Sequence, residues 1–178
     1  MRKKILSLHL LLASFMAPAF LMVAISGGLY LIGIKGSSIE SEVSVPEQFS
    51  LDLSSNELEQ DVRNLLGQLD LNTNFEYLRI SGSSITTRPT SREFLRLNVA
   101  DDGLRIKIVK PDFQSSLIEL HKGHGPTLFK TYQKLVAVAL IFVMLSGLWM
   151  GIGNKMMRKK TLIAAILGLA TFIFLALS

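Results

Sequence analysis

Hydrophobic residues in this chain are gathered into three long runs, and most polar residues lie in one block between the first two. Residues 5–34, 135–153 and 161–178 contain no Asp, Glu, Lys or Arg. A helix of about 20 apolar residues crosses the roughly 30 Å hydrocarbon core of a bilayer. The pattern therefore predicts three transmembrane helices, with a polar region over residues 35–134 and a basic loop over 154–160.

The first run begins like a secretory signal peptide. A basic segment over residues 1–4 precedes it, and Ala17-Pro18-Ala19 imitates a cleavage site. A signal peptide has an apolar core of only about 7–15 residues, whereas this run continues to Ile34. We therefore expect an uncleaved anchor, which Pro18 kinks because proline removes one backbone donor.

The polar block predicts one amphipathic helix followed by a small antiparallel sheet. Ser54 and Glu57 have the spacing of a capping box, and an apolar stripe with the period of a helix follows them. The stripe consists of Leu58, Val62, Leu65, Leu66 and Leu69. Four segments with the two-residue period of strands come next. They cover residues 75–80, 85–88, 92–99 and 104–109.

The predicted fold class is a membrane α-helical protein with three transmembrane helices and a small α+β domain. One helix would cover an antiparallel meander in a domain over residues 55–120. A linker at 35–54 would precede this domain, and a juxtamembrane segment at 121–134 would follow it. Two sequences typical of hairpin turns support the meander. They are Ser81-Gly82-Ser83 and Asp101-Asp102-Gly103.

The net charge of +5 comes from the flanks of the apolar runs. All 14 acidic residues lie within residues 35–134, and seven basic residues lie outside it in two clusters. These are Arg2, Lys3, Lys4, Lys155, Arg158, Lys159 and Lys160. Because basic flanks stay on the cytoplasmic side, we expect the N-terminus and the 154–160 loop inside and residues 35–134 outside. The distribution argues against nucleic acid as a partner, since a nucleic-acid binder carries its basic face on the folded domain.

The polar block offers no recognisable reaction centre. The sequence has no cysteine, and none of its three histidines lies within residues 35–120. A Ser-His-Asp triad or a histidine-rich metal site therefore cannot be built inside the domain. We predict no catalytic residues and no metal ligands, which favours a protein that is not an enzyme.

Three cations are candidate partner-binding residues. Arg96, Arg105 and Lys107 fall on the sheet face opposite the predicted helix. Cations there are typical of a solvated sheet face, and a binding surface for an acidic partner is the alternative.

The histidines are candidate cofactor ligands. His9 lies early in the first run, where an imidazole without a partner is costly, so it marks a candidate site. Snorkelling towards the headgroups or a hydrogen bond to a neighbouring helix would also satisfy it. His121 and His124 lie just before the second run, where a polar interfacial cap is the alternative.

Short motifs around these histidines resemble those of PepSY-associated transmembrane proteins. The first run carries LH at residues 8–9 and SGGLY at residues 26–30. The later part of the chain carries LHKG at 120–123 and SGLW at 146–149. The resemblance covers nearly the whole chain in layout, and the helix-then-meander pattern is similar to the small PepSY module.

That resemblance implies an inner-membrane protein with a periplasmic PepSY module and a membrane or periplasmic protein partner, or a homo-oligomer. Some larger family members bind haem between transmembrane histidines and pass electrons to acceptors such as ferric siderophores. The matching positions here are His9 and His121, with His124 as an additional candidate haem ligand. Haem-binding relatives have more helices and more histidines than this chain.

Helix length restricts any haem in one copy of the chain. About 25 residues separate His9 from the outer end of its run, which is roughly 37 Å of helix. His9 and His121 are therefore expected near opposite membrane faces. A bis-histidine haem would need a second copy or a partner.

Three functions are compatible with this sequence, and the first two are favoured. The first is an accessory protein whose periplasmic domain binds or regulates a membrane or periplasmic partner. The second is a haem-binding electron-transfer subunit linked to iron uptake through ferric-siderophore reduction. A transporter or channel subunit is a third, which the uncharged runs disfavour. The absence of a reaction centre favours the first.

Overall fold

A computed structural model describes residues 2–46, 49–100 and 103–178. Within those residues the helices are α1 (Arg2–Leu31), α2 (Leu58–Gln68), α3 (Phe113–His121), α4 (Thr127–Ile152) and α5 (Arg158–Leu177). The strands are β1 (Ser38–Val43), β2 (Tyr77–Ser81), β3 (Ser84–Arg88), β4 (Phe94–Ala100) and β5 (Gly103–Pro111). The chain divides into two compact units. We call residues 1–20 with 134–178 the helix unit, and residues 21–133 the sheet unit.

Three helices, α1, α4 and α5, are long and apolar enough to cross a membrane. Their ends differ from those of the apolar runs. Helix α4 begins at Thr127, eight residues before the predicted run, and α5 begins at Arg158, inside the predicted basic loop. Lysine and arginine have good helix propensity, so charged turns can extend a helix beyond its apolar part. The apolar run therefore marks the apolar part of a helix and not its ends.

In the helix unit, α4 and α5 approach each other closely near the loop that joins them. A Cβ atom placed on Gly151 would lie 2.7 Å from Oγ1 of Thr161. Such a distance is far below van der Waals contact, so glycine allows the two backbones to come together here.

The sheet unit contains a five-stranded antiparallel sheet in the order β1-β5-β4-β3-β2. Helix α2 covers one face, as its apolar stripe predicted. Buried residues of α2 and of the strands form one core. It includes Leu58, Val62, Leu65, Leu66, Ile85, Leu95, Leu97, Leu104 and Ile106. Ser81 pairs with Ser84 across the first predicted turn, where Gly82 adopts φ +59. The second predicted turn includes Asp101 and Asp102, which lie outside the described residues.

The fifth strand, β1, lies within the segment predicted as a linker, residues 35–54. Ser38–Val43 pairs with β5, from Ser38 opposite Pro111 to Val43 opposite Ile106. Five of its six residues are exposed, and polar residues outnumber apolar ones. An edge strand of this kind is held by backbone hydrogen bonds, which leave no hydrophobic periodicity in the sequence.

The predicted capping box is also wrong. Helix α2 begins at Leu58, and its N-cap residue is Glu57, whose side chain makes no capping bond. The amide and hydroxyl of Ser54 both donate to Oδ1 of Asp52, at 2.9 and 2.5 Å. Asp52 therefore holds Ser54 in a turn before the helix.

A second helix, α3, lies against β5 and makes the single-helix prediction incomplete. Its N-cap residue Asp112 accepts a bond from the amide of Ser115 at 2.7 Å and another from the amide of Ser37 at 2.7 Å. The amide of Asp112 in turn donates to the carbonyl of Ser37. Gly36, at φ +73, passes so close that a Cβ atom would lie 2.4 Å from the Ser115 nitrogen. These contacts join the start of β1 to the end of β5, where α3 begins.

Candidate functional site

A polar cavity of about 320 Å³ lies between α3 and the sheet face opposite α2. Alternate residues of β3 and β4 form its floor, with Thr86 and Arg88 from the first and Phe94 and Arg96 from the second. Glu119 of α3 lies on the opposite wall. Because α2 takes the other set of alternating residues, the strand period of two places these polar groups on one face.

A connected network of hydrogen bonds lines the cavity. Arg88 is 8% exposed, and its Nη1 donates to Oγ1 of Thr90 at 2.7 Å. The Thr90 hydroxyl donates to Oε2 of Glu119 at 2.5 Å. Nδ1 of His124 lies 2.8 Å from the same oxygen, and Lys122 donates to the other at 3.0 Å. This Arg88–Glu119 network therefore satisfies a buried cation and a largely buried carboxylate together.

The pKa of Glu119 reflects two opposing effects. Burial alone would raise it, but hydrogen bonds from Thr90, His124 and Lys122 outweigh burial and hold the pKa below its ordinary value. Glu119 is therefore ionised at neutral pH. Its charge faces Arg88, whose Nη1 lies 3.7 Å from Oε2.

The three cations predicted from the sequence share one sheet face. Arg96 lies opposite Lys107 and Asn98 lies opposite Arg105 in the register of β4 and β5. Arg96 and Lys107 both bond to the carboxylate of Glu40, at 2.9 and 3.2 Å. The hydrogen bond from Lys107 is the largest influence that lowers the pKa of Glu40. Strand β1 therefore supplies the carboxylate that pairs with two of these cations. Binding of an acidic partner to this face stays a prediction.

His9 forms a hydrogen bond to another helix, as one alternative from the sequence had it. Its Nδ1 lies 2.8 Å from Oγ of Ser146 in α4. Oγ of Ser146 also lies 3.1 Å from the carbonyl oxygen of Val143, so the hydroxyl lies between this carbonyl and the imidazole ring. A Cβ atom on Gly147 would lie 3.4 Å from Cε1 of His9.

His121 has an equivalent environment in the sheet unit. Its Nδ1 lies 3.0 Å from Oγ of Ser26, and the Ser26 hydroxyl donates to the carbonyl of Val23. A Cβ atom on Gly27 would lie 3.2 Å from Cε1 of the ring. Twice in this chain, therefore, Oγ of a serine that precedes a glycine contacts Nδ1 of a histidine from another helix. We call these contacts the histidine–serine pairs.

The same geometry bears on the histidines as candidate haem ligands. Both contacts to serine use Nδ1, so Nε2 is the ring nitrogen that a metal would take. Within each unit, however, no second histidine completes an axial pair. The helix unit contains only His9, and in the sheet unit His121 and His124 bond to different partners, Ser26 and Glu119. Among the described residues no group of three or more His, Cys, Asp or Glu could hold a metal ion.

Sequence reasoning missed the centre of the polar cavity. Arg88, Thr90 and Glu119 were not candidate residues, because the sequence had no pattern that placed residue 119 beside residues 88 and 90. The one available signal was the cluster of Glu119, Lys122 and His124, whose spacing brings them together at the end of α3.

A family model described as PepSY_TM-like matches residues 34–178. The match includes the whole sheet, α2, α3, α4 and α5, and the motifs at 120–123 and 146–149. The motifs at 8–9 and 26–30 lie before it. No curated protein and no solved structure matches the chain.

Proposed function

The chain belongs to the PepSY_TM-like family, and from this premise we propose a membrane-anchored accessory protein whose sheet unit binds or regulates a membrane or periplasmic protein partner. The polar cavity is the observation that carries this proposal. It combines about 320 Å³ of accessible space with a preformed set of charged and hydroxyl groups. Binding sites typically combine a concave shape with a few fixed polar groups in this way.

The Arg88–Glu119 network favours binding over catalysis. A hydroxyl nucleophile needs a base at its proton, as serine needs histidine in a triad. Here the group at the Thr90 proton is Glu119, whose pKa is held below its ordinary value, so this carboxylate is too weak a base to remove that proton. The network positions α3 against the sheet and presents charged groups to the cavity. Arg96, Arg105 and Lys107 extend the same face and form the outer part of the proposed partner surface.

The proposed placement puts α1, α4 and α5 in the inner membrane. The N-terminus and the α4–α5 loop lie in the cytoplasm, and the sheet lies in the periplasm. The basic clusters at both proposed cytoplasmic positions support this orientation. The haem alternative has no comparable observation in its favour.

Photo-crosslinking from the cavity tests the proposed function. A photoreactive amino acid replaces Thr86, which lines the cavity, or Asn64, which is exposed on α2. We expect one discrete crosslinked species in native membranes from position 86 and not from position 64. Crosslinks of equal yield from both positions, or from position 64 alone, would refute binding through the cavity.

Cysteine labelling tests the orientation, because the chain contains no cysteine of its own. Single cysteines replace exposed Asn72 or Lys155. In intact spheroplasts, a membrane-impermeant maleimide should label N72C directly and K155C only after lysis. The reverse pattern would invert the proposed topology.

A further inference from the structure

We propose that a cleft between α4 and α5 binds an anionic phospholipid, with its phosphate at Lys160 and Thr161 and an acyl chain along the helices. This inference rests on the proposed membrane placement of the helix unit. The cleft has a volume of about 680 Å³, which is within the usual range of about 300–1,000 Å³ for ligand sites. We call it the α4–α5 cleft.

A close contact between the two helices borders the cleft. Gly151 and Thr161 touch near the loop. Gly147 of α4 and Ala164 and Ala165 of α5 line the cleft with little side-chain volume. His9 of α1 forms part of the wall. The cleft is therefore a consequence of where the small residues lie along the two helices.

One part of the lining is polar and cationic. Lys160 and Thr161 lie at the start of α5, immediately after the loop. The neighbouring basic residues are Lys155, Arg158 and Lys159, and the sequence has no acidic residue after Glu119. The helix unit itself therefore contains no Asp or Glu side chain that could compete for Lys160. A phosphate diester at the membrane surface is the complementary group.

The rest of the lining is apolar. Val143, Met144 and Leu148 of α4 face Ala164 and Ala165 of α5 across the cleft. Within α5, which the structure describes in full, no residue is buried. The surface beside the cleft thus suits an acyl chain and is a poor site for a soluble anion. Ser146 contacts His9 at Nδ1, so Nε2 is the ring nitrogen that can form a hydrogen bond with a headgroup hydroxyl such as that of phosphatidylglycerol.

Lipid binding is tested on the full chain in mild detergent, by native mass spectrometry and by thermal unfolding with added phosphatidylglycerol or phosphatidylcholine. The variants are Lys160→Gln and the matched control Lys159→Gln, which removes the same charge one residue away from the cleft lining. A cation near a membrane surface contributes about 1 kcal/mol, so K160Q should weaken phosphatidylglycerol binding about fivefold. K159Q should bind as the wild type does.

A second variant tests the apolar part of the cleft separately from the charge of Lys160. Ala165→Leu should fill the cleft and reduce bound phosphatidylglycerol without changing the charge of the loop. Four outcomes would overturn the proposal: equal losses in K160Q and K159Q, equal binding of phosphatidylcholine, equal stabilisation by inorganic phosphate, or a haem Soret band that His9→Ala abolishes. Failure here leaves the cavity crosslinks and the cysteine labelling unchanged, so it is distinguishable from failure of the proposed function.

Discussion

The two units of this chain use polar side chains in different ways. In the sheet unit, Arg88, Thr90, Glu119 and His124 are joined into one network, and every described ion pair lies there. In the helix unit, His9 and Ser146 form a hydrogen-bonded pair between two helices. The sheet unit depends on a buried apolar core and on charges, whereas the helix unit depends on close backbone approach and single hydrogen bonds. Four substitutions or conditions can break or sharpen this contrast.

The largest effect is expected from the apolar core. Leu66 is fully buried in the sheet unit, whereas Leu169 of α5 is 60% exposed. Leu66→Ala should destabilise the sheet unit by about 2–5 kcal/mol, because it leaves a cavity. Leu169→Ala should change stability by less than about 0.5 kcal/mol. Amide hydrogen exchange of the full chain in detergent measures both, and equal effects would contradict the contrast.

Neutralising the carboxylate of the Arg88–Glu119 network should have the next largest effect. Glu119→Gln leaves Arg88 without an anion in a nearly buried site, and we expect a loss of about 2–3 kcal/mol. The matched control is Glu59→Gln, which removes an exposed helical pair with Arg63 and should cost about 0.3–0.5 kcal/mol. Chemical unfolding followed by hydrogen exchange gives both values. Similar losses in the two variants would mean that the network contributes no more than a surface ion pair.

Low pH should lower the stability of the sheet unit and leave that of the helix unit unchanged. The pKa of Glu119 is lower in the folded chain than its ordinary value, so the carboxylate stabilises the fold fully above an unfolded pKa of about 4.3. That stability is lost as the pH falls through the folded pKa. We expect the sheet unit to weaken below about pH 4.3, less steeply in E119Q. The helix unit has no acidic side chain and should show no such dependence in the same exchange experiment.

The smallest effect is expected from the histidine–serine pairs. Ser146→Ala removes the bond to His9 and should cost about 0.6 kcal/mol, the average for hydrogen bonds between membrane helices. Ser7→Ala, at an exposed position of α1, serves as the control and should cost nothing measurable. Thermal unfolding in detergent, monitored by circular dichroism, compares the two. A loss above about 2 kcal/mol for Ser146→Ala would show that the helix unit also depends on its polar contacts.

The sequence predicted those elements whose hydrophobic residues have a clear period or a sufficient length. The apolar runs located α1, α4 and α5, and the stripe from Leu58 to Leu69 located α2. The alternation of Leu95, Leu97, Leu104 and Ile106 identified the buried sheet face correctly. In α2 and the sheet, burial recurs at regular intervals along the sequence, and the amino-acid pattern records it. In α1, α4 and α5 the signal is the length of the apolar run, since few of their residues are buried.

Elements held by other forces were not predictable. Strand β1 is held by its backbone pairing with β5, and α3 by its cap at Asp112 and one buried residue, Ile118. The polar cavity requires both elements, so the sequence could not locate it. The histidine–serine pairs had a partial signal, since serine followed by glycine occurs at residues 26–27 and again at 146–147, but nothing in the pattern paired each with its histidine.

The contact between Ser37 and Asp112 has a consequence for the architecture. Since Ser38 pairs with Pro111, the chain enters and leaves the sheet at a single corner. A segment whose ends touch can be removed from its host, or inserted into another, without changing the spacing of the flanking helices. Residues 38–111 thus begin and end beside each other, as the ends of an inserted domain do.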